Sequence, residues 1–165
     1  MGAEGLRKDI KDIERILVVT RMTTSCQKAV HYGISLASKY GAKLYVLHII
    51  HNPFGLEGFS VAIPSMKALD EEWKKMQKKV KAELDRIIDS EKGGGISIEV
   101  LVRKGDPNKE ILDVIEKKKI DLLITLAHKE GRLEHLLFGR SHEEIIRKIP
   151  CSVLFVKQEA GPLEY

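Results

Sequence analysis

The sequence predicts an α/β domain in which five parallel strands form one sheet with helices on both faces. Short, largely apolar runs recur at 15–20, 43–50, 96–102, 120–126 and 151–156, the first of them continuous and rich in β-branched residues. Such runs are too short for buried helices and read as strands covered on both sides. Between them lie segments whose apolar residues fall three and four apart, the period of a helix with one buried face. Strand and helix alternate with short connections throughout, which argues for a parallel sheet with right-handed crossovers.

Residues 1–12 are polar and read as an N-terminal extension to a single domain spanning 13–157, with 158–165 a flexible tail. The first strand, RILVVT, leads through Arg21-Met-Thr-Thr-Ser25 into a helix with Ala29, Val30, Gly33, Ile34 and Ala37 on one stripe. Thr24 with Gln27 fits a capping box at its start, and Gly41 fits its C-terminal stop. After the second strand, residues 51–65 mix turn formers with Phe54, Leu56, Phe59, Val61 and Ile63. They read either as packing over a helix end or as a lid or partner contact, long loops in compact domains being often functional.

Residues 66–90 give the clearest helix, with Leu69, Trp73, Met76, Val80, Leu84, Ile87 and Ile88 on one face. Lys74, Lys75, Lys78, Lys79 and Lys81 decorate the remainder and read as a solvated face, with an anionic partner as the alternative. After the third strand, Asp106 suits an N-cap and Pro107 the first helical position, where a missing N–H costs nothing. Ile111, Leu112, Val114 and Ile115 supply that helix's buried side. A last helix is predicted over 141–149, stopped by Pro150.

The 165 residues suit one domain, which buries roughly two thirds of its unfolded surface. Apolar residues at 43% and charged residues at 32% are ordinary for a globular chain, and a net charge of +4 is only mildly basic. Aromatic residues at 5% argue against a nucleic-acid binder, which clusters them with basic residues. Cys26 and Cys151 are isolated and match no zinc or C-x-x-C spacing, which points to a reducing compartment. No signal-like h-region and no bilayer-length apolar run is visible, so a cytoplasmic protein without membrane insertion is expected.

The segments ERILVVT, AKLYVLHII, VRKGDPNKEILDVIEKKKIDLLI and LLFGRSHEEIIRKIPCSVLFVK together resemble the universal stress protein family, over roughly 13–157. The resemblance implies a Rossmann-like sheet in strand order 3-2-1-4-5 and a homodimer. In the nucleotide-binding branch it also implies ATP held between the loops after strands one and four, at the topological switch point. Carried over to this chain, the candidate nucleotide or phosphate site is Thr20, Arg21, Ile49, Ala127, His128, Gly139, Arg140 and Ser141.

The chain departs from the ATP branch at most of the motif. Arg21 stands where that branch has an acid after strand one. Counting back without gaps from Gly139, the motif's first two glycines fall on Leu126 and Lys129, and its serine falls on Arg140 with Ser141 one place later. His128 matches a histidine common in the motif, and a gapped alignment brings Gly131-Arg132 onto its Gly-Arg with a shorter loop. A glycine there lets backbone approach phosphate closely, and Leu126 or Lys129 adds bulk.

Gly139-Arg140-Ser141 nonetheless opens the predicted last helix, whose free N–H groups attract anions, and Arg21, Lys129 and Arg132 add positive charge. Glu143 and Glu144 oppose this, and Ser141 with Glu144 makes a capping box. Two readings follow. One is a regulatory protein that binds ATP weakly or not at all. The other holds ATP or another phosphate ligand through an altered, basic loop.

Nothing in the chain suggests an enzyme. There is no G-x-S-x-G elbow, no Walker lysine and no base partner visible for either cysteine. His48 and His51, and the series His128, His135, His142, lack Cys or acid partners at ligand spacing, so no metal is expected. A receiver domain would need paired acids near its start, and Thr20-Arg21 does not supply them. A flavodoxin-like phosphate loop at Thr20, Thr23 and Thr24 lacks flanking aromatics. The short apolar terminal strand from Cys151 to Val156 is an exposed edge suited to pairing with a second copy.

Overall fold

The computed structural model describes residues 12–20, 24–50, 66–91, 95–127 and 148–157. Its strands are β1 (Arg15–Thr20), β2 (Lys43–Ile50), β3 (Ile98–Lys104), β4 (Leu122–Ala127) and β5 (Ser152–Lys157). Its helices are α1 (Thr24–Tyr40), α2 (Met66–Glu91) and α3 (Pro107–Lys118). All strand pairs are parallel, in the order β3-β2-β1-β4-β5. The predicted fold class and strand order are those observed.

The two faces of the sheet bury separate cores. Ile16 and Val18 of β1, Leu44 and Val46 of β2, and Ile124 and Leu126 of β4 turn one way, against Ala29, Val30 and Ile34 of α1 and Leu84 and Ile88 of α2. Leu17, Val19, Tyr45, Leu47 and Leu123 turn the other way, against Ile111, Val114 and Ile115 of α3. This alternation is the period-two geometry of a strand covered on both sides, which makes the central runs continuously apolar.

Local signals set the helix ends. Gly41 takes φ +65° after α1, a left-handed turn that costs glycine little. The Asp106 carboxylate accepts hydrogen bonds from Asn108 N and Lys109 N, both at 3.0 Å, and so caps α3 with Pro107 at its first position. Leu112, predicted among the buried residues of α3, is half-buried.

The third strand begins two residues later than its apolar pattern suggests, because Ile96 is buried just ahead of the ladder. The capping side chains Thr24 and Ser141, the 51–65 segment, the extension before Asp12, the tail and the 141–149 helix apart from its end at 148–149 lie outside the described residues.

At the N-terminal end of the sheet, Asp121 ties three strands together. Its Oδ2 accepts from Glu14 N at 3.1 Å and Arg15 N at 2.9 Å, its own N–H donates to Arg15 O, and its carbonyl accepts from Ser152 N. It precedes β4 outside any periodic pattern, so hydrophobic spacing gives no sign of this role.

Candidate functional site

The site is set by where β1 stops pairing. With β2 the register runs the length of β1, from Arg15↔Lys43 to Thr20↔His48. With β4 it covers only Ile16↔Leu122, Leu17↔Leu123 and Val18↔Ile124. The β1–β4 ladder therefore ends at Val18 and Ile124, and the position of the ligand crevice in sheets of this order falls between the strand ends at Thr20 and Ala127. Crossovers from β1 and from β4 lead to opposite sides of this gap, which makes it the topological switch point, where open α/β sheets hold ligands.

One lip of the crevice is built from Thr20 and His48. Thr20 is 3% exposed, and His48, its register partner, is 9% exposed. His48 Nδ1 lies 3.1 Å from the Thr20 carbonyl oxygen. Since that oxygen only accepts, the contact assigns the proton to Nδ1 and leaves Nε2 as the acceptor of the neutral ring. Burial pushes the imidazole below its usual 6.5, against the opposing pull of the Thr20 carbonyl, so the ring is neutral at physiological pH.

Above 6.5 His48 is neutral in both folded and unfolded chains and its buried packing contributes in full. As pH falls below 6.5 the unfolded chain takes up the proton first, and stability is lost until the depressed folded-state value is passed. Urea titrations from about one pH unit above 6.5 to about one unit below should show a steeper loss for the wild type than for His48→Gln. Parallel slopes for the two proteins would count against this.

The other lip is apolar where the family motif has glycine. Leu126 is 5% exposed, pairs with Val156 of β5, and packs in the core beneath α1 and α2. Next to it Thr125, 2% exposed, adds a buried hydroxyl that residue spacing did not single out.

Of the candidate residues, Thr20, Ile49 and Ala127 stand at the C-terminal ends of β1, β2 and β4. They do not all share a face: Thr20 alternates with Val18 toward α1 and α2, whereas Ile49 packs on the α3 side. Arg21, His128, Gly139, Arg140 and Ser141 lie outside the described residues.

Other ionisable groups sit away from the crevice. Glu99 bonds Lys118 and Lys43, each at 2.8 Å, and these two ammonium groups hold its carboxyl below the usual range. Both lysines also lie over the Tyr45 ring, at 5.3 and 4.8 Å. Burial pushes the Cys151 thiol up, which keeps it protonated and a poor nucleophile at neutral pH. Among the described residues no three His, Cys, Asp or Glu side chains gather as metal ligands, and no helix is long and apolar enough to cross a membrane.

The universal stress protein family model matches residues 12–157. The chain belongs to the universal stress protein family. It is 30% identical over 149 residues to universal stress protein MJ0531 of Methanocaldococcus jannaschii, covering 88% of this chain and 82% of that protein.

The fold of this universal stress protein is shared with the solved structure of hypothetical protein MJ0577, also of M. jannaschii. That comparison has a TM-score of 0.68 at 20% identity, covering 92% of this chain and 100% of the other. A universal stress protein solved in complex with cAMP has a TM-score of 0.61 at 20% identity, covering 89% and 98%.

Proposed function

We propose that this universal stress protein is a non-catalytic, cytoplasmic regulator of the stress response that acts as a homodimer through β5 and binds ATP weakly or not at all. The observation that carries the nucleotide part is Leu126. At the place of the motif's first glycine, in the ungapped alignment, stands a strand residue paired with Val156 whose side chain fills the core. A backbone committed to a strand ladder on this side is not free to wrap a phosphate, and Arg21 in the sequence removes the acid that would accept from a ribose or base.

The dimer reading is supported by the β5 edge. β5 is the terminal strand of the sheet, and Phe155 is 43% exposed on it. An unpaired strand edge carrying an exposed aromatic is a template for a second copy.

Native mass spectrometry tests both parts in one spectrum. The expected species is twice the 18.6 kDa chain with no nucleotide adduct. A monomer at micromolar concentration contradicts the dimer, and an ATP-sized adduct contradicts the nucleotide reading.

The second reading, a phosphate ligand held by an altered basic loop, is favoured by two features. The β1–β4 ladder stops short of the strand ends at the switch point, and a structural neighbour of the same fold is known in complex with cAMP. In this reading Gly139, Arg140 and Ser141 supply the helix N-terminus and a cation in place of the missing glycines.

A further inference from the structure

The sheet has a second edge, at β3, and its chemistry differs from that of β5. Leu44 N donates to Ser97 O at 2.9 Å, and Gly105 N donates to Ile50 O at 3.3 Å. These bonds bracket the β2–β3 ladder and fix its alternation. Glu99, Leu101 and Arg103 turn their backbone groups toward β2, while Ile98, Val100 and Val102 turn theirs outward. Gln77 of α2 bears this out, since its Nε2 donates to the Val102 carbonyl at 3.5 Å from outside the sheet.

A groove of about 270 Å³ runs along this edge, lined by Gln77, Lys78, Lys81, Val100 and Val102. Its helical wall is basic. Between Glu72 and Glu83, α2 carries Lys74, Lys75, Lys78, Lys79 and Lys81 and no acid. The positions three and four residues from Lys78 are Lys74, Lys75, Lys81 and Ala82, so its own helix offers it no carboxylate. Lys81 does pair with Asp85, at 2.9 Å. At the far end of β3, Lys104 lies 5.6 Å above the Trp73 ring. Glu99, the acid on β3, is already held by Lys43 and Lys118 on the opposite face.

We propose that the outer edge of β3 and the lysine stripe of α2 form a docking groove for an acidic, extended segment of a partner protein, which joins the sheet as a sixth strand. The outward N–H and C=O groups of Val100 and Val102 supply main-chain bonds, and every second side chain of the added strand faces the α2 wall. Carboxylates at those alternate positions meet Lys78, Lys81 and Lys74. Gln77 is displaced in the process, its long bond to Val102 being replaced by a backbone N–H of the incoming strand. The groove lies on the outer side of β3, the edge strand two places from β1, and this inference draws on no nucleotide contact.

Fluorescence anisotropy of the full chain with three labelled octapeptides tests it. One alternates Glu with Val, one alternates Lys with Val, and one is the acidic peptide N-methylated along one edge. The acidic peptide is expected to bind at least about tenfold more tightly than either of the others, a gap of ~1.4 kcal/mol. Lys78→Glu with Lys81→Glu is expected to remove that preference.

Val100→Pro is expected to abolish binding while leaving the β2 ladder intact, because the Val100 N–H points outward. The N-methylated peptide asks the same question without altering the protein. Equal binding of all three peptides, or none at millimolar concentration, overturns the proposal and leaves the lysines as guards that keep the edge from pairing.

Discussion

Leu123→Ala is expected to lower the folding stability by about 2–5 kcal/mol. Leu123 lies on β4, paired with Leu17 of β1 on one side and Val153 of β5 on the other, and it is 1% exposed. Its side chain packs in the core between the sheet and α3. Truncation removes buried methyl groups and leaves a void that a central strand, fixed by ladders on both sides, is poorly able to close. Urea denaturation followed by circular dichroism measures it. A loss below ~1 kcal/mol would mean that this core relaxes into the space, against the tight packing described here.

Gly33→Ala is the second large effect, and its sign is the informative part. On helix propensity alone alanine should stabilise α1 by about 1 kcal/mol over glycine. A Cβ at Gly33, however, would stand 2.4 Å from Val18 Cγ2 and 3.2 Å from Leu44 Cδ1. Both neighbours are fully buried, on β1 and β2, and Val18 is too short to swing away. Glycine is what lets α1 lie this close to the sheet.

The expected outcome is a net destabilisation of about 1–3 kcal/mol, the usual cost of overpacking. Combining Gly33→Ala with Val18→Ala should recover part of it, as coupled neighbours do in a double-mutant cycle. A stabilised Gly33→Ala variant would show that α1 sits further from the sheet than the structure has it.

The strands and helices were legible in the sequence because the buried strands are short, unbroken apolar runs and the helices repeat at three and four. Gly33 shows the limit of that signal. It falls on the apolar stripe of α1, but spacing does not reveal that Val18 occupies the space a side chain would need. Asp121 shows another, since an acid before a strand looks like any surface residue until the amides of Glu14 and Arg15 are brought to it from more than a hundred positions away.

At the site, Thr20 and Ala127 were legible as strand ends flanking the switch point. His48 was not, because its bond to the Thr20 carbonyl depends on the register between β1 and β2. Leu126 was legible in part. In the alignment it is a glycine replaced, and in the fold it is a core residue whose strand pairing opposes the loop that a phosphate would need.

Equilibrium dialysis of the purified protein against labelled ATP tests this most directly. No saturable binding is expected at micromolar ATP, with any affinity in the millimolar range, about −4 kcal/mol. Saturable micromolar binding that is lost on Arg140→Glu would contradict it and establish the altered basic loop as a working nucleotide site.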